Sequence, residues 1–156
     1  DEPEREAKYM AIALAMQHKR FIRPAAMPLY KKLIREGAWW DFVDDVAIRL
    51  VGTVVREHRT AVQPKVDAWA DGRDLWLRRS AILCQIKHGP DTDEAWLFDL
   101  CRRRAHETEF FIRKAIGWAL RDHAKHRPEA VRRLLRSNRE RLSGLSFREA
   151  AKHLDM

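Results

Sequence analysis

Apolar residues recur at three- and four-residue spacing along almost the whole chain, and the alternation that marks a half-buried strand is missing. That pattern predicts an all-α fold. Six Gly and six Pro leave few helix breakers, and Ala, Leu, Arg and Glu outweigh the β-branched residues. Helices are predicted at roughly 4–20, 26–36, 39–57, 60–71, 74–88, 92–105, 108–126, 128–140 and 146–153. The punctuation agrees: Pro24 and Pro28 open the second region, Gly37 closes it, and Gly72 separates the fourth from the fifth. Gly89-Pro90 ends the fifth, and Pro128 stands where a first helical turn tolerates proline. Short connections imply antiparallel neighbours.

The helices repeat. Trp76-Leu77-Arg78-Arg79-Ser80-Ala81 aligns with Phe111-Ile112-Arg113-Lys114-Ala115-Ile116 at a shift of 35 residues, and the same step back from Arg79 reaches Asp44. Asp44, Arg79 and Lys114 therefore hold one position in three successive helix pairs. Helix pairs of this period stack into an α–α superhelix whose second helices line an inner face. A single domain over residues 1–156 is expected. The first helix carries Tyr9, Met10, Ile12, Ala13, Leu14 and Met16, apolar on much of its circumference, so a further segment or a partner is expected against it.

Lys and Arg number 31 against 23 Asp and Glu, a formal charge of +8. Such an excess suits a soluble surface, and it also suits a polyanionic partner, because neutralised phosphates release counterions. No apolar run is long enough to span a membrane, and Asp1-Glu2-Pro3-Glu4 lacks the start of a signal peptide. Cys84 and Cys101 lie within amphipathic helical patterns and are expected as buried free thiols, which fits a reducing cytoplasm. The histidines show no metal-ligand spacing. His123 and His126 are three apart on a helix, but no Cys or carboxylate cluster accompanies them at zinc-site spacing, and both are expected to face solvent. No metal and no cofactor is expected. Glycine-rich phosphate loops, nucleophile elbows and paired cysteines are missing, which leaves nucleotide hydrolysis, acyl transfer and hydride transfer without support.

Candidate functional residues gather on the predicted inner face. Trp40 and Asp44 are one turn apart, Lys114 and Trp118 show the same spacing two repeats later, and Arg79 lies between them. Each has a plain structural alternative: core aromatics for the tryptophans, a solvated charge for Asp44 beside Asp41 and Asp45, a solvated pair for Arg78-Arg79. Their coincidence at repeat-equivalent positions favours a shared site.

Trp39-Trp40-Asp41-Phe42-Val43-Asp44 resembles the tryptophan–aspartate signature of the AlkD family of DNA alkylation repair glycosylases. The stretch from Trp76 to Gln85 is similar to that family's arginine-bearing helix, and the stretch from Phe110 to Arg121 to its most recognisable segment. The segments keep the family's order and approximate spacing over nearly the whole chain. The resemblance implies a HEAT-like repeat solenoid that removes cationic N3- and N7-alkylated purines from duplex DNA, in base excision repair, without a base-flipping pocket. It assigns the active-site tryptophans to Trp40 and Trp118, the catalytic aspartate to Asp44 and the active-site arginine to Arg79. Family members carry further helices ahead of the point where this sequence starts, and this chain is expected to lack them.

The chemistry is consistent with that assignment. An alkylated purine already bears a positive charge, so no general acid is needed to release it. What remains is to stabilise the oxocarbenium-like sugar, a task for Asp44, which can also position water. Tryptophan faces attract cations, by ~0.5–2 kcal/mol, so Trp40 and Trp118 suit both the lesion and the sugar. Arg79 is expected on a phosphate near the lesion, with Arg78, Arg113, Lys114, Arg121 and Lys125 as further DNA-backbone contacts. A monomer acting on duplex DNA in the cytoplasm is expected. The alternative is a non-catalytic DNA-binding repeat protein. The stretch Arg139–Met156 either caps the solenoid or contacts DNA.

Overall fold

The computed structural model describes residues 2–155, with side chains from Glu6 onward; the segment Asp1-Glu2-Pro3-Glu4, read above for a signal peptide, and Met156 lie outside the described side chains. Helix α1 runs over Glu2–Gln17, α2 over Met27–Gly37 and α3 over Trp40–Asp45. α3 passes through a π-helical stretch, Val46–Val51, into α4 (Gly52–Ala70). Then come α5 (Leu75–Leu83), α6 (Glu94–Arg103), α7 (Phe110–Ala124), α8 (Pro128–Ser137) and α9 (Gly144–Ala151). Short 3-10 turns occupy Lys19–Phe21, Pro24–Ala26 and Gly89–Asp91. The structure is all-α, a stack of helix pairs.

Local chemistry sets the boundaries. Asp74, Asp93 and Ser143 cap α5, α6 and α9, each side chain accepting from backbone N–H groups of the first turn. Pro128 starts α8 as expected. α2 ends at Gly37, but the left-handed residue that closes it is Ala38, at φ 36°. The gap predicted between 57 and 60 is a kink instead: His58 leaves helical geometry (φ −137°, ψ 36°) while the helix continues beyond it. α5 is shorter than expected, because Lys87 and Gly89 both take positive φ in the turn that follows it.

The pairs stack through their second members. α5 packs on α4 and on the π-helical stretch, α7 on α5, and α9 on α7. Backbones approach closely along this inner row: a Cβ on Gly52 would lie 2.8 Å from the carbonyl oxygen of Cys84, and one on Gly117 would lie 2.4 Å from Cβ of Glu149. The outer helices are joined by longer side chains. Arg103 reaches from α6 to Asp67 on α4 and to Asp71 beyond it, and Trp96 donates its indole N–H to Asp67. The period of the sequence reappears as inter-repeat bonds: Asp44 to Arg79, Arg56 to Asp91, and the Lys87 N–H to Asp122 each span 35 residues.

Val43, Val46, Val51 and Val54 are buried in one core cluster and Ile82, Leu83, Ile116 and Leu120 in a second. Both cysteines are free and buried as expected, and burial pushes the Cys101 thiol up to about 12. On α1, Ile12 is buried whereas Met10 and Leu14 are exposed. Among the described residues no helix is long and apolar enough to cross a membrane.

Candidate active site

α3 starts directly after extended Trp39. The four-residue spacing places Trp40 and Asp44 on one face, and the neighbouring aspartates have contacts of their own. Asp41 accepts from the N–H of Phe42, and Asp45 pairs with Arg49 on its own helix at 3.2 Å. Asp44 turns toward α5, where it is 6% exposed. There Arg79 grips it with two parallel bonds: Nε donates to Oδ1 and Nη2 to Oδ2, each at 2.7 Å. Nη1 donates to the carbonyl oxygen of Phe111 on α7, so one guanidinium ties three inner helices together. Burial pushes the Asp44 carboxyl above the ordinary aspartate range, although the Arg79 hydrogen bonds and charge pull the other way.

A second charged cluster lies beside the first. Lys114 and Arg121, both on α7, converge on Glu149 of α9, Nζ of Lys114 lying 3.0 Å from Oε1 and Nη1 of Arg121 donating to Oε2 at 2.7 Å. Lys114 holds the Glu149 carboxyl below the usual glutamate range, with Arg121 reinforcing it. Between the clusters is a cleft of about 280 Å³. Its polar lining is Asp44, Arg79, Lys114, Arg121 and Glu149, and its aromatic lining is Trp40, Phe110, Phe111 and Trp118. Phe111 is braced by Trp76, with ring centroids 5.0 Å apart, and by the edge of Trp39 at 6.1 Å. Trp40 and Phe110 remain largely exposed at the rim.

The expected site residues separate into two groups. Trp40, Asp44, Arg79, Lys114, Trp118 and Arg121 all line the cleft. Arg78, Arg113 and Lys125 do not. Arg78 pairs with Glu107 at 3.0 Å and donates to the carbonyls of Gly72 and Arg73, Arg113 donates to the carbonyl of Glu107, and Lys125 pairs with Asp122 at the exposed end of α7. Arg79 differs from expectation in its contacts. Buried to 4% exposure and bonded through all three guanidinium nitrogens, it orients the carboxylate instead of presenting a free fork to a phosphate. Phe110, Phe111 and Glu149 were not singled out as site residues. Glu149 stands one further 35-residue step beyond Lys114, so extending the repeat once more would have found it. The stretch from Arg139 packs on the stack: Ser146 Oγ donates to the carbonyl of Arg113, and α9 also delivers Glu149 to the cleft.

His123 is a correction. It is buried rather than solvent-facing, with Nε2 2.9 Å from Glu94 and its ring edge-on to Phe98, because these two α6 side chains lie against it. His126 is exposed. No group of three or more His, Cys, Asp or Glu among the described residues could hold a metal ion. A larger groove of about 550 Å³, with Lys31, Arg35, Lys65 and Arg73 on its walls, lies between α2, α4 and α5. Asp74 is its one carboxylate, already spent on capping α5.

Comparison with known proteins agrees with the all-α fold. The model of the DNA alkylation repair enzyme family matches residues 1–154. Among solved structures, a predicted DNA alkylation repair enzyme from Enterococcus faecalis is 33% identical and superimposes with a TM-score of 0.84, over 97% of this chain and 70% of that one. No curated protein matches the chain.

Proposed function

Because the chain belongs to the DNA alkylation repair enzyme family, we propose that it is a monofunctional DNA glycosylase. Its substrate is a cationic N3- or N7-alkylpurine in duplex DNA. The observation that carries this reading is Asp44: a buried carboxylate, held by two hydrogen bonds from Arg79, at the wall of a cleft lined by Trp40 and Trp118.

A carboxylate fixed in position beside the sugar stabilises the positive charge that develops as the glycosidic bond breaks. The same oxygens accept a proton from the attacking water, which adds to the sugar carbon as the neutral alkylpurine leaves with the bonding electrons. The leaving base carries its own positive charge, so no acid has to protonate it. Trp40 and Trp118 receive the cationic base and sugar against their π faces. Arg79 serves here as a positioning residue, since its hydrogen bonds fix the direction of both Asp44 oxygens. Contacts to the DNA backbone then fall to Lys114 and Arg121, the cations that line the cleft without bonding to Asp44.

The test is release of N7-methylguanine from duplex DNA by the chain and by its Asp44→Asn variant. Release is expected to fall by at least two orders of magnitude in the variant, with duplex affinity little changed. Equal release by both would remove Asp44 from the reaction. Salt-sensitive duplex binding without any release by the unaltered chain would mark it as a non-catalytic DNA-binding member of the family.

A further inference from the structure

The column Asp44, Arg79, Lys114 and Glu149 runs acid, base, base, acid at equal sequence intervals. The first two charges cancel within a closed pair. The remaining cleft charges are Lys114, Arg121 and Glu149, a net of one positive, and they stay partly open to solvent. Glu149 is the fixed member of this trio. It stands on α9 where that helix presses against Gly117, and its Cβ occupies the space a side chain at 117 would take. One of its oxygens is given to each cation.

A cleft that receives a cationic base faces a conflict. Two unrestrained cations strengthen the grip on phosphates, but they repel the base and also hold undamaged duplex more tightly. A carboxylate bound to both lowers that repulsion and leaves one net positive charge, the complement of one phosphate. Resting on the glycosylase reading above, we propose that Glu149 is a specificity-determining positioning residue: it restrains Lys114 and Arg121, limits the affinity of the cleft for undamaged duplex, and shields the cationic base from the two cations.

The experiment is the salt dependence of binding to an undamaged duplex, measured for the unaltered chain, Glu149→Gln and Glu149→Asp, alongside single-turnover release of N7-methylguanine. Glu149→Gln is expected to bind undamaged duplex several-fold more tightly. Its plot of log affinity against log salt is expected to steepen by about 0.9, the equivalent of one further phosphate, while release slows. Glu149→Asp, which keeps the charge, is expected to retain the original slope, a result that a purely packing role does not predict. Should Glu149→Gln fail to fold, Lys114→Gln provides the opposite sign, a slope shallower by about 0.9. An unchanged slope and affinity in folded Glu149→Gln, or an unchanged slope in Lys114→Gln, overturns the proposal. If the unaltered chain shows no salt-sensitive duplex binding, the DNA-cleft reading itself fails, whatever the variants do.

Discussion

The two ion-pair clusters of the inner face share one register and one repeat spacing, yet they differ in nearly every physical respect. Asp44–Arg79 is largely buried at the cleft wall, with side chains 9% and 5% exposed, and bidentate. Lys114–Glu149 is 37% and 23% exposed and shares its carboxylate with Arg121. Burial makes the first pair costly to form and more costly to break, because removing one partner strands the other charge in a low dielectric. Screening by solvent makes the second pair nearly neutral for stability. The same sequence device thus fixes the direction of a carboxylate in one place and adjusts the charge of a surface in the other. Burial decides which.

The largest effect is expected from Arg79→Ala. It leaves Asp44 uncompensated and should lower stability by about 3–5 kcal/mol in urea unfolding, with Asp44→Ala added to it restoring part of the loss. A loss below about 1 kcal/mol would mean that solvent screens this pair as it does the other and that the contrast between the clusters is false. Gly117→Ala comes next. Its Cβ would meet Cβ of Glu149 at 2.4 Å and the carbonyl oxygen of Ser146 at 3.1 Å, so α9 must shift. The cost is expected at ~1–3 kcal/mol, as for other overpacked contacts, and the salt slope of duplex binding should move with it. A stable variant with an unaltered slope would show that α9 does not hold Glu149 in place.

The finest distinction is one of pH. A carboxyl with a raised pKa takes up its proton earlier on acidification than an ordinary one, and Asp44 is raised by burial. Single-turnover release from saturated complex should therefore decline on its acid side at a higher pH than an ordinary aspartate would set. Glu149 shifts the other way, held below the usual glutamate range by Lys114 and Arg121. An acid limb at or below the ordinary aspartate range would place the titrating group elsewhere.

Helical periodicity and the 35-residue repeat determined the all-α class, the pairing of helices and the shared register of Asp44, Arg79 and Lys114. These follow from side-chain spacing alone, since residues one turn apart share a face in any α-helix. The four-residue spacing added Trp40 and Trp118 to that face, and both line the cleft. What the chain alone left open was how deeply Asp44 is buried, and what Arg79 does there. Packing α5 against α3 answered both, burying Asp44 under the Arg79 guanidinium while Asp45 stayed with Arg49. Glu149 and Phe111 entered the site for the same reason: α9 and the start of α7 reach the cleft only once the pairs are stacked. Periodicity specifies directions on one helix, whereas burial and the partner of a charge depend on the neighbouring helix, and that is set by tertiary packing.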